Sequence, residues 1–375
     1  MFLINAAYLD GQFRLVKGDL EIDGGKILRV GEKLAYTQED MVVDCEGYTI
    51  VPGFVDIHIH GCAGADTCDG TREAIDTMAK FLITKGVTSF CPTTMTVGEE
   101  EIQAALLAAK ACMDAPAPEG ARVVGVNMEG PFISSAKKGA QKEEAIRQPD
   151  FGLFRRFYDA CGGIVKLVDI APEEPGGMEF VGQARELCTV SIAHTTAGYD
   201  QAKEAFDGGI THATHLFNAM SGLHHRKPGV VGAVFDDERV NAELICDGHH
   251  LHPAVLRTAF RLLGDRAVVV SDSMRANGMA EGESFDLGGQ MVTVRGGLAT
   301  LEDGTIAGSV TNLHQEVKNL VSYGVPFEQA VKAATLTPAK AIGLEGEIGS
   351  IEPGKRADLV VLDKDLEIVA VYHEN

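Results

Sequence analysis

Residues 51–61 read VPGFVDIHIHG, an alternating run that closes on two histidines one residue apart and then a glycine. In an extended strand Val55, Ile57 and Ile59 face one way and Asp56, His58 and His60 the other, so the two imidazoles aim at one point. An H-x-H at a strand end is by itself more often a surface pair than a metal site. The rest of the chain decides between them.

Downstream, seven further strand-like segments follow: GVTSFCPT (86–93), RVVGVNME (122–129), IVKLVDIAP (164–172), TVSIAH (189–194), ITHATHLF (210–217), NAELICD (241–247) and AVVVSD (267–272). Helical patterns separate most of them, including TREAIDTMAKFLITK (71–85), GEEEIQAALLAAKACM (98–113), GMEFVGQARELC (177–188) and HPAVLRTAFRLLG (252–264). Eight strands alternating with helices predict an α/β fold, a (β/α)8 TIM-like barrel over residues 51–344, with its active site at the C-terminal ends of the strands. Residues 1–50 read instead as short alternating segments parted by D-G and G-G turns, and the tail GSIEPGKRADLVVLDKDLEIVAVYHEN (349–375) returns to that chemistry. The two ends, 1–50 plus 345–375, are expected to pair as a small β-sandwich domain beside the barrel.

Composition narrows the function. The chain has 375 residues, 45% of them hydrophobic, enough for a large core. No run of 18 apolar residues occurs, and the N-terminal stretch meets Asp10 early and has no basic region, so neither a membrane span nor a signal peptide is expected. The eight cysteines show no C-x-x-C spacing, which suits reduced thiols and a cytoplasmic protein. With 33 basic against 54 acidic residues the formal charge is −21, which argues against nucleic acid as a partner. An anionic ligand would need a local exception, and HHRKPG (224–229), just after FNAM, is one. There Asn218, the backbone N–H of Ala219 and Arg226 are candidates to hold an anion.

The last residues of the candidate strands are His58 and His60 on the first, Glu129 on the third, His194 on the fifth, His215 on the sixth and Asp272 on the eighth. All are metal-ligand types, and side chains at that rim converge on one cavity. Four histidines and two carboxylates exceed what one four- or five-coordinate ion needs, so two divalent ions sharing a bridging group are expected. His212 lies three residues before His215, so strand alternation places it on the opposite side, as a structural residue. TLEDGTIAGS (300–309) reads as a lid loop whose Ile306 and Ala307 are candidates to meet an apolar part of a ligand.

With these residues in place the chain resembles the amidohydrolase superfamily and, within it, the N-acetylglucosamine-6-phosphate deacetylases. The resemblance spans essentially the whole sequence and is carried by PGFVDIHIHG, MEGPF (128–132), AHT (193–195), THLFNAM (214–220), GVVGAVFD (229–236), CDGHHLHP (246–253), VSDSM (270–274), IAGS (306–309) and GSIEPGKRADLVVLD (349–363). H-x-H and the tail are superfamily-wide, whereas MEGPF, THLFNAM and DG-x-H are the deacetylase signals. Some members lack histidines of the first-strand motif and resemble single-metal enzymes; both are present here. The hydantoinase branch bridges its metals with a carboxylated lysine, a role that falls to Glu129 here.

The resemblance implies that His58, His60 and Asp272 hold one ion, that His194 and His215 hold the other, and that His250 contacts substrate. It implies removal of the acetyl group from N-acetyl-D-glucosamine 6-phosphate, a small phosphorylated amino sugar, by a homodimer in which Arg226 reaches the neighbouring subunit's site. Asp272 is placed to act as base and then acid, taking water's proton and giving it to the leaving nitrogen. Zn2+, Fe2+ and Mn2+ all suit the donor set. The alternatives are an N-acetylgalactosamine 6-phosphate or other N-acyl substrate on the same fold, and a non-catalytic scaffold.

Overall fold

The computed structural model describes residues 1–375 except 117–118, 281, 288–289, 296–297, 302–305 and 375, and gives backbone alone for 286, 287, 290, 295, 306 and 307. The run read first is the first barrel strand, Phe54–Ile59, buried at every position. Seven more follow: Val87–Thr94, a third in two pieces (Arg122–Val123 and Val126–Met128), Val165–Ile170, Thr189–Ile192, His212–Ala213, Asn241–Leu244 and Ala267–Val269. Each pairs in parallel with the next, as in Ile170↔Ile192 and Leu244↔Val269. The seam between eighth and first closes at the rim through the Ile59↔Ser273 bridge. There the Asp272 N–H donates to the His58 carbonyl at 2.9 Å and the His60 N–H to the Ser273 carbonyl at 2.8 Å. The α/β reading as an eight-stranded barrel is thus what the chain forms.

Strands covered on both faces read as unbroken apolar or β-branched runs, and Val87–Thr94 is buried throughout. The helix that precedes it, Arg72–Ile83, starts where Thr71 accepts from the Ala74 N–H and buries Ala74, Ile75, Met78, Ala79 and Leu82, one stripe at helical spacing. The core of the barrel proper includes Val55, Ile57, Cys91, Leu167, Ile245 and Val268.

The two ends of the chain meet in one seven-stranded sheet. Strands Phe2–Leu9, Leu15–Asp23, Lys26–Gly31, Val42–Asp44 and Thr49–Pro52 are joined by Leu359–Leu362 and Ile368–Tyr372, with Leu359 opposite Pro52. Leu3, Leu20, Ile27, Ile50 and Leu359 form a core of their own.

Ser284–Leu287, Gln290–Arg295, Leu298–Leu301 and Ile306–Gly308 form a four-stranded antiparallel sheet, so part of the segment 300–309, expected as a lid loop, is strand. Its signals are present in SFDLGGQMVTVRGGLATL, alternating runs split by G-G pairs. Ile306 and Ala307 fall on its last strand; their side chains lie outside the described residues.

Candidate metal centre and substrate cavity

The structure brings all six strand-end residues together. His58, His60 and Asp272 form one group, and Glu129, His194 and His215 a second, the ligand atoms of each group lying within 4.8 Å of one another. None of the six is more than 8% exposed. Glu129 joins the groups: its Oε1 is 2.8 Å from His194 Nε2 and 3.1 Å from His215 Nε2, and its Oε2 is 3.0 Å from His60 Nε2. Asp272 Oδ1 lies 3.3 Å from His60 Nε2 and 3.6 Å from His58 Nε2.

Backbone strain accompanies this convergence. His194, His215 and Asp272 adopt φ of 43°, 29° and 44°, the left-handed region that costs a side-chain-bearing residue about 1–3 kcal/mol. In each case the strand has just ended and the chain turns the side chain over the barrel mouth. That turn replaces alternation as the reason His212 is structural and not among the six. Its strand stops at Ala213, alternation does not extend to His215, and the His212 ring is buried against Glu243, with Nε2 3.1 Å from Oε1. After Glu129 the chain must leave at once: Gly130 has φ 84°, and a Cβ there would stand 2.0 Å from Thr96 Oγ1.

The outer nitrogens of the imidazoles show which way the inner ones are prepared. His58 Nδ1 is 2.8 Å from Glu243 Oε2, His60 Nδ1 is 3.2 Å from the Thr93 carbonyl and His194 Nδ1 is 2.8 Å from the Lys137 carbonyl. Those partners only accept, so each Nδ1 carries a proton, and each Nε2 is the nitrogen turned inward, where a cation would take the place of its proton. His58 Nε2 is buried without a hydrogen-bond partner, and the Nε2 atoms of His194 and His215 face each other at 3.2 Å. Imidazole nitrogens and carboxylate oxygens crowded this closely call for cations between them, as protons or metal, and the N/O donor set fits divalent transition metals.

The electrostatics agree. Burial opposes charge on His60, yet Asp272 and Glu129 push it up to about 10. Burial likewise opposes charge on His58, while Glu243 and Asp272 hold it well above the usual imidazole range. Burial would raise Glu129, but hydrogen bonds from His194, His215 and His60 keep it well below the usual carboxylate range. Such a centre draws in positive charge, as protons or as metal that displaces them.

A cavity of about 360 Å³ opens over the centre, lined by His60, Glu129, His194, His215 and Asp272 and also by Asn218, Ala219, His250 and Gly308. His250 is held by Asp247, whose Oδ2 is 2.6 Å from its Nδ1. His252 instead caps the helix Pro253–Leu263. Arg226 stands apart, on the exposed segment 222–227, and does not line this cavity.

Three contributors escaped the sequence. Gln141 donates from Nε2 to Glu129 Oε2 at 2.6 Å while its Oε1 accepts the Thr96 N–H at 2.7 Å. Lys137 contributes its carbonyl to His194 and lines the cavity. Glu243 receives His58. Only Glu243 had a signal, a carboxylate inside the apolar run NAELICD.

Residues 49–374 match the amidohydrolase family. The chain is 37% identical to an N-acetylglucosamine-6-phosphate deacetylase of Bacillus subtilis (strain 168) over 360 residues, 94% of this chain and 90% of the relative. It is 34% identical to an N-acetylgalactosamine-6-phosphate deacetylase of Escherichia coli O157:H7 over 335 residues, 88% of each. A mutant N-acetyl-D-glucosamine-6-phosphate deacetylase from Mycobacterium smegmatis, solved in complex with N-acetyl-D-glucosamine-6-phosphate, matches with a TM-score of 0.92 and 34% identity, over 100% of this chain and 97% of that one. The chain therefore belongs to the amidohydrolase family, among its N-acetylglucosamine-6-phosphate deacetylases.

Proposed function

We propose that this protein is an amide hydrolase that converts N-acetyl-D-glucosamine 6-phosphate and water to D-glucosamine 6-phosphate and acetate, in the breakdown and recycling of amino sugars. The observation that carries the reading is the buried set of four imidazoles and two carboxylates at the floor of a sugar-sized cavity. His58, His60 and Asp272 would hold one divalent ion and His194 and His215 a second, with Glu129 between the two groups; Zn2+, Fe2+ and Mn2+ all suit these donors. Such ions, when bound, supply Lewis acidity that acidifies water and polarises an amide carbonyl.

The chain's own groups do the rest. Asp272 is the base that takes a proton from the attacking water and the acid that returns it to the nitrogen as the C–N bond breaks and the acetyl carbon gains its oxygen. Ordered by Asp247, His250 contacts the substrate. Asn218 and the Ala219 N–H donate to the phosphate. Arg226, outside its own subunit's cavity, serves a neighbouring site in a homodimer, a reading supported by the exposed Leu223 beside it, 57% accessible. Residues 1–50 with 345–375 act as a small supporting domain to the barrel of 51–344.

A cytoplasmic setting is supported by eight free cysteines. Among the described residues no helix is long and apolar enough to cross a membrane.

The galacto epimer is the second reading, favoured by the 34% identity to the galactosamine enzyme. Acetate release from both 6-phosphates and both free sugars, alongside elemental analysis, tests the proposal. The gluco 6-phosphate should be the best substrate, with two ions per chain. No more than one ion after metal addition would exclude the two-ion centre, and faster turnover of the galacto compound would reverse the substrate order.

A further inference from the structure

Glu243 sits on the seventh barrel strand, fully buried, and is not one of the six residues at the centre. Its Oε2 accepts from His58 Nδ1 at 2.8 Å and from the His215 backbone N–H at 3.2 Å, so one oxygen touches a residue of each ligand group. Its Oε1 is fixed from the other side by His212 Nε2 at 3.1 Å. The contrast is Asp169, another fully buried carboxylate of the barrel interior, whose Oδ1 accepts from the Thr214 hydroxyl at 2.7 Å and whose Oδ2 has no hydrogen-bond partner among the described residues.

We propose that Glu243 is a positioning residue of the metal centre, locking the His58 tautomer and tying the strained turn at His215 to it. The inference rests on the metal-dependent reading above. Glu243 faces three nitrogens, His58 Nδ1, His212 Nε2 and the His215 N–H, and as a carboxylate it only accepts, so His58 carries a proton on Nδ1. That leaves His58 Nε2 as the nitrogen directed at the centre. The same oxygen restrains the His215 backbone, so the spacing of the two groups is referred to one carboxylate. His212 completes the arrangement by preventing Glu243 from rotating away.

Three variants and one spectroscopic measurement test this. Glu243→Met keeps the length of the side chain and removes both acceptors; its affinity for Zn2+ or Mn2+, measured by chelator competition, should fall about 10–100-fold. Glu243→Gln should restore binding, since its carbonyl oxygen can keep the His58 and His215 N–H bonds while its NH2 turns to a His212 ring that switches tautomer. Asp169→Asn, which changes a neighbouring buried carboxylate, should bind metal as the wild type does. Histidine 15N spectra of the metal-loaded wild type, which need no variant to fold, should place the His58 proton on Nδ1.

A Met variant that holds metal as tightly as wild type, a Gln variant as weak as Met, an equal loss in Asp169→Asn, or a metal-loaded His58 without a proton on Nδ1 would each overturn the proposal. A wild type that binds metal but releases no acetate would sink the substrate reading and leave this inference standing.

Discussion

The two regions that would have to serve one substrate differ in how the chain holds them. At the barrel floor His58, His60, Glu129, His194, His215 and Asp272 are buried, cross-bonded and turned inward by the backbone. Ten or so residues beyond His215, Arg226 stands in solvent, its backbone N–H on its neighbour His224 at 3.3 Å. Chemistry that needs atoms fixed to fractions of an ångström is built from strand ends and paid for in strain; recognition of a phosphate leans on a charge that the folded chain does not by itself aim at the cavity. Changes at the floor should therefore strike turnover and metal, and changes at the exposed loop should strike binding of one substrate class.

The largest effect is expected at Asp272. Asp272→Asn should lower kcat at least about 100-fold, the usual scale for a lost proton carrier, in a protein that still folds. Metal content of the same sample separates loss of a ligand from loss of a base. Near-normal turnover would erase the distinction between floor and loop.

Next comes the double change His58→Ala with His60→Ala. It should remove one ion's worth of metal and leave the group around His194 and His215 partly loaded, as read by elemental analysis. Complete loss of metal would mean that Glu129 welds the groups into a single unit; undiminished metal would show that the H-x-H is no ligand.

The smallest effect belongs to Arg226. Arg226→Ala should raise KM for the phosphorylated sugar roughly tenfold, the worth of a charge-assisted hydrogen bond, with kcat little changed. The unphosphorylated sugar should be almost unaffected. Equal losses on both would make Arg226 a support of the fold or an interface.

What could be read beforehand follows the same divide between local and distant causes. Alternation in VPGFVDIHIHG is local, so the pointing of His58 and His60 was legible. Counting eight strands then gave the barrel, and the rim placed Glu129, His194, His215 and Asp272 beside them. His212 is structural as read, but alternation does not reach past the end of its two-residue strand to supply the reason. Gln141 and the Lys137 carbonyl were invisible because they lie in a segment without periodicity, brought over Glu129 and His194 by contacts 12 and 57 residues distant in sequence. The sheet of Ser284–Gly308 has its signal in short alternating runs separated by G-G pairs, weaker than the barrel rhythm beside it.

The most direct test of the whole account is acetate release from N-acetyl-D-glucosamine 6-phosphate by the intact protein before chelation, after chelation and after divalent metal is restored. The account predicts acetate and free amine in equal amounts, loss of both on chelation and recovery with metal, at a rate well above that for the unphosphorylated sugar. Release that survives complete removal of metal, or no release by metal-loaded protein, would contradict it.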